Sequence, residues 1–119
     1  MKSYTDIEQS KKLAEILPIE SADCYWDYDE MQKFHHISWF EDGYNKESQL
    51  RLNKNNVCAW SLAALLDVLP YPSLHKTFSG WRCDSYDKEG TSCILGEPQE
   101  NFVDACVEMI EKLHKLKML

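Results

Sequence analysis

Ala59-Trp60-Ser61-Leu62-Ala63-Ala64-Leu65-Leu66-Asp67-Val68-Leu69-Pro70 overlaps the longest apolar run of the chain. Its apolar residues occupy nearly every side of a helical wheel: Trp60, Leu62, Ala63, Leu65, Leu66, Val68 and Leu69. A helix that is hydrophobic all round is buried on most of its faces. The pattern therefore predicts a central helix over Trp60 to Leu69, placed in the middle of the core and ended by Pro70 and Pro72. The wider apolar run from Val57 to Leu69, broken by Ser61 and Asp67, is shorter than the ~20 residues that span a bilayer.

Upstream, the segment from Tyr44 to Asn56 is polar and reads as an exposed loop, with a short strand possible over Gln49 to Leu52. Two strands precede it. Cys24 to Tyr28 is rich in aromatics, and Phe34 to Phe40 would set Phe34, His36, Ser38 and Phe40 on one side. Asp29 to Gln32 is the turn between them, and Asp42-Gly43 marks another. The first helix opens on Thr5-Asp6-Ile7-Glu8, which reads as a capping box with Thr5 as N-cap. An apolar stripe of Ile7, Leu13, Ala14, Ile16 and Leu17 follows, and Pro18 closes the element near Leu17.

Downstream, Leu74 to Leu95 reads as more sheet. Trp81 to Tyr86 is a strand, Asp87 to Gly90 a turn, and Thr91 to Leu95 its hairpin partner. Asn101 is an N-cap for the last helix, which shows Val103, Cys106, Ile110 and Leu113 on one face. Asp104 and Glu108 lie near its positive end, and Lys112, Lys115 and Lys117 near its negative end. The sum is an α+β chain: a mainly antiparallel sheet with N-terminal, central and C-terminal helices. Ala14-Glu15-Ile16-Leu17-Pro18 echoes Leu66-Asp67-Val68-Leu69-Pro70, which raises the question of a duplicated helix–strand–strand unit.

With 119 residues, 44% of them hydrophobic, the chain is globular rather than disordered and fits a single domain over 1–119. No apolar targeting segment follows the first residues, which predicts a cytoplasmic protein. Five cysteines without a CxxC pair (Cys24, Cys58, Cys83, Cys93 and Cys106) predict buried thiols rather than a disulfide framework. Cys83 and Cys93 lie across the second hairpin and would come near each other. The net charge of -7 opposes direct nucleic-acid binding and anionic membranes, and suits a protein partner with a basic surface.

No motif assigns chemistry. The cysteines and His35, His36, His75 and His114 lack the paired spacing of a zinc site. Adjacent His35 and His36 would point to opposite faces of a strand. Glu20, Asp23, Asp27, Asp29 and Glu30 form an acidic cluster. Its Asp27/Asp29 spacing begins like a calcium loop, but Gln32 and Ser38 stand where Gly and Glu are required. Neither a metal nor a cofactor is expected. The cluster reads first as a solvated rim and second as a partner-binding patch of Asp23, Trp26, Asp27, Asp29 and Glu30.

Three stretches carry a resemblance: Tyr4 to Pro18 with Ser21-Ala22-Asp23, Ala59 to Pro70, and Asp104 to Leu113. Together they resemble a group of small proteins of Bacteroides-type gut bacteria, often linked to phage or mobile elements. The resemblance implies a bacterial cytosolic setting and supplies no catalytic residue. Three functions fit these features. The first is a non-catalytic, acidic protein-binding accessory factor. The second is a small enzyme or ligand-binding domain with a pocket between sheet and helices, using a Cys and a His. The third is an acidic DNA-mimic antagonist, for which the charge density is modest.

Overall fold

The computed structural model describes residues 2–119. Among them the fold is α+β, with helices α1 (Ile7–Ala14), α2 (Lys46–Leu50), α3 (Leu62–Val68) and α4 (Phe102–Lys115). The strands are β1 (Cys24–Asp29), β2 (Phe34–Trp39), β3 (Val57–Ala59), β4 (Pro72–Thr77), β5 (Gly80–Tyr86) and β6 (Cys93–Ile94). They form two antiparallel sheets, ordered β2-β1-β3 and β4-β5-β6, where the hydropathy pattern suggests one. The chain divides into two compact units, one of Tyr4–Ala64 and one of Leu65–Leu119 together with Lys2 and Ser3.

In the Tyr4–Ala64 unit, the cap of α1 differs from the expected one. Asp6 is the N-cap, accepting from the Gln9 N–H, and the Gln9 side chain returns to the Asp6 N–H at 3.1 Å. Thr5 is diverted to a tertiary task. Its hydroxyl accepts from the Trp60 N–H at 3.1 Å and lies 2.7 Å from Ser10 Oγ, while its own N–H donates to the Trp60 carbonyl. Thr5 is fully buried, so its hydroxyl needs these partners. The helix also stops at Ala14 rather than near Leu17, and the chain reaches Pro18 through tight turns from Lys12 and Leu13.

Strand β3 has only three residues and is held by pairing with β1, as Tyr25↔Cys58 and Trp26↔Val57. Trp60 lies just past it and is fully buried, with its indole N–H donating to Ser21 Oγ at 2.9 Å. It therefore stands outside α3, which begins at Leu62 and is capped by Ser61, whose Oγ accepts from the Ala64 N–H. The polar stretch before β3 contains α2, capped by Asn45, and the short strand expected over Gln49 to Leu52 does not form. Asn45 accepts from the Ser48 N–H at 3.0 Å, a local bond that nucleates one turn of helix.

In the other unit, α4 buries the face read from its periodicity: Val103, Cys106, Ile110 and Leu113 are all fully buried. Asn101 caps it by accepting from the Asp104 N–H at 2.9 Å. Strand β5 is central, with Trp81 packed on Phe102 at a centroid distance of 4.2 Å. The Ala14–Pro18 echo does not extend to topology. The central strand is the first after α1 in one sheet and the second after α3 in the other.

The β5–β6 turn is built around Asp87. Its carboxylate accepts from Ser92 Oγ at 2.8 Å, Thr91 Oγ1 at 3.0 Å and the Thr91 N–H at 2.9 Å. These bonds, the Ser92 hydroxyl first, hold its pKa at about 2, below the ordinary 3.8. A depressed pKa means the carboxylate supports the turn fully above pH 3.8 and loses that support as pH falls through about 2. Carboxyl NMR should show Asp87 titrating near that lower value, and Ser92→Ala should move its midpoint back up. An unchanged midpoint in Ser92→Ala would refute this account of the turn.

Candidate functional site

Residues directly opposite each other in an antiparallel pair share a face of the sheet. In β1–β2 the register pairs Asp27 with His36, Asp29 with Phe34 and Tyr25 with Ser38. One face of the hairpin therefore carries Tyr25, Asp27 and Asp29 on β1 with Ser38, His36 and Phe34 on β2. Its outer end is open: Phe34 is 47% exposed, and Met31 at the tip of the turn is 93% exposed. Glu30 is exposed beside it, with Oε1 accepting from Asn53 Nδ2 at 2.9 Å.

The polar groups on this face are linked. Ser38 Oγ donates to Asp27 Oδ2 at 3.4 Å, and His36 Nε2 lies 3.7 Å from the same oxygen. Burial, then the charge of Asp27, raises the Tyr25 hydroxyl above its ordinary value, so it stays protonated. Asp29 shapes the turn by accepting from the Met31 N–H at 2.9 Å and the Gln32 N–H at 3.1 Å. Lys33, at φ +58, closes the loop with its N–H on the Asp29 carbonyl.

Asp23 and Trp26, expected in the same patch, are turned to other tasks. Asp23 accepts from the Ser61 N–H at 2.9 Å and from Ser61 Oγ in a short hydrogen bond, and so holds the residue that caps α3. Trp26 points to the opposite face from Asp27, because neighbours in a strand alternate. Its indole N–H donates to the Thr5 carbonyl at 3.0 Å, and Tyr4 packs edge-on at 5.6 Å. The hairpin thus brings Asp27, Asp29 and Glu30 together with Met31, Phe34 and His36, and leaves Asp23 and Trp26 to the fold. The Phe34-x-His36-x-Ser38 alternation carried this signal, and adding a four-residue turn to it pairs Asp29 with Phe34.

A second polar cluster lies on β4–β5, and no sequence motif marks it. Asp84 is 1% exposed, and its Oδ1 accepts from the Gly96 N–H at 3.0 Å. Arg82 Nη2 donates to Oδ2 at 3.0 Å, with Nε 3.0 Å from Oδ1 but poorly aligned for a hydrogen bond. His75 Nε2 is 3.3 Å from Asp84 Oδ2 and 2.9 Å from Ser73 Oγ. Serine, histidine and aspartate thus meet, but not as a nucleophile relay. A relay needs the carboxylate on one ring nitrogen and the serine on the other, and here both approach Nε2.

All five cysteines are free. Burial, then the charge of Asp23, pushes the Cys24 thiol well up, and burial pushes Cys58 up. Contact with Cys83, then burial, does the same to Cys106. These three stay protonated and are poor nucleophiles. Cys93 sits opposite Tyr86, three positions along from Cys83, so the two cysteines expected near each other face opposite ways. Cys93 instead lines a shallow, mostly apolar hollow of about 250 Å³ with Tyr71, Tyr86, Ile94 and Met118.

Among the described residues, no group of three or more His, Cys, Asp or Glu side chains is arranged to hold a metal ion. Nor, among them, is any helix long and apolar enough to cross a membrane. Comparison of the chain with protein-family models, curated proteins and solved structures gives no match.

Proposed function

We propose that this chain is a small cytoplasmic protein-binding factor without catalytic activity of its own, and that it meets its partner through the outer end of the β1–β2 hairpin. The observation that carries the reading is exposed Phe34 on the register-defined face of Asp27 and Asp29, with Met31 and Glu30 exposed in the turn at its end. Large apolar side chains at the centre of such a patch supply most of the affinity, and the surrounding charges set partner choice and encounter rate. The Tyr4–Ala64 unit holds eleven Asp and Glu against six Lys and Arg, so most of the net charge of -7 belongs to the unit with this hairpin. The partner is accordingly a protein with a basic surface. The resemblance of the three helical stretches supports a bacterial setting linked to mobile elements.

Affinity capture from the native host, run with the parent chain and with Met31→Ala/Phe34→Ala, tests this. The parent should retain one stoichiometric partner, and the double variant should hold it at least ~10-fold more weakly while melting like the parent. Raising the salt should weaken the parent complex by slowing association. A stoichiometric partner held equally by the variant would move the surface elsewhere. Recovery of no such partner would end the reading.

A further inference from the structure

We propose that the β4–β5 ladder carries a binding site for a small oxyanion, held by Ser73, His75 and Arg82 above the buried carboxylate of Asp84. The site shares no residue with the β1–β2 hairpin surface. The register places Ser73 opposite Asp84 and His75 opposite Arg82, so all four share one face. A buried carboxylate is costly unless donors surround it, and Asp84 is surrounded by the Gly96 N–H, Arg82 and His75.

The chemistry of the outward groups follows from what Asp84 has taken. Arg82 holds it by one hydrogen bond from Nη2, with Nε beside Oδ1 but unbonded, which leaves Nη1 without a bond to the carboxylate. Ser73 Oγ lies 2.9 Å from His75 Nε2, so the hydroxyl and the imidazole form one polar pair beside the guanidinium. In the imidazolium form, His75 Nδ1 adds a further donor. His75 is 39% and Arg82 31% exposed, so a ligand reaches both. The cluster thus presents N–H and O–H donors with its one carboxylate already occupied. The ligand must bring the acceptors, and phosphate and carboxylate groups match an Arg edge. Asp84 offsets the charge of Arg82, so affinity for a bare anion should be modest, with Kd on the order of a few millimolar.

The test titrates the full chain by NMR with inorganic phosphate, with acetate, and with sodium chloride at matched ionic strength. Saturable shifts at Ser73, His75 and the Arg82 side chain are expected with phosphate, acetate or both. Phosphate alone identifies a tetrahedral oxyanion, and saturation by acetate identifies a carboxylate. Arg82→Gln should weaken binding at least ~10-fold by removing the charged edge. Ser73→Ala, a small change that spares Asp84, should weaken it several-fold with the melting curve unchanged. Shifts that fail to saturate, that sodium chloride reproduces, or that persist unchanged in both variants would overturn the proposal.

Discussion

Leu65→Ala should lower stability by about 2–5 kcal/mol, the cost of the lost apolar transfer plus the cavity left behind. Leu65 is fully buried at the point in α3 where the backbone N–H of Leu69 returns to its carbonyl. The next residue supplies the control. Leu66 sits on the same helix with the same side chain but is only half-buried, so Leu66→Ala should cost clearly less. Chains of this size are stable by only about 5–15 kcal/mol, and each 1 kcal/mol moves the thermal midpoint by roughly 3–6 °C. Calorimetry should therefore place Leu65→Ala roughly 6 °C or more below the parent, with Leu66→Ala between them. Asp29→Asn should melt close to the parent, because an amide oxygen still accepts from the Met31 and Gln32 N–H groups. Equal melting of the two leucine variants would mean that Leu65 is no more buried than Leu66.

Gly96→Ala should be comparably damaging for a different reason. A Cβ at Gly96 would lie 2.1 Å from the Cys83 carbonyl oxygen and 3.1 Å from Glu108 Oε1. The first contact is with the backbone of the central strand β5, which cannot turn aside as a side chain does. The Gly96 N–H also donates to Asp84 Oδ1, so any retreat of the segment strips a hydrogen bond from a buried carboxylate. Overpacking with loss of that bond should cost about 3 kcal/mol or more. Gly90→Ala isolates the other way a glycine matters. Gly90 has φ +72 with open space around its Cβ position, so the variant bears only backbone strain of about 1–2 kcal/mol. Urea unfolding of the two variants should therefore separate them, with Gly96→Ala the weaker. The reverse order would show that the segment beside β5 yields easily and that Asp84 is not held by it.

The hairpin surface and the Asp84 cluster differ in how far sequence alone reaches them. Asp27, Asp29 and Glu30 stand out as a run of charge, and Phe34, His36 and Ser38 as an alternating strand. Joining the two requires only a turn length, because a short hairpin brings together residues close along the chain. Ser73, His75, Arg82 and Asp84 sit among ordinary polar positions. Nothing local shows that Asp84 is buried, because its burial depends on the crossing of Gly96, twelve residues later.

Local chemistry by itself did not mark β4 and its pairing with β5 as a strand and hairpin. It did determine the presence of the N-terminal, central and C-terminal helices, the β1–β2 and β5–β6 hairpins, the Asn101 cap and the buried face of α4. Each of these rests on the 3.6- or 2-residue period or on a turn residue, and each is settled within a few neighbouring positions. Tertiary structure decided what depends on distant partners. Strand β3 is too short to show a period and exists through its pairing with β1. Thr5 has the right side chain to cap α1, but its hydroxyl is consumed by Trp60 and Ser10, so the cap passes to Asp6. Asp23 reads as surface charge until Ser61, 38 residues away, takes both of its oxygens. A donor or acceptor buried by folding must be satisfied by whatever the fold brings to it, and that partner is not written in the neighbouring sequence.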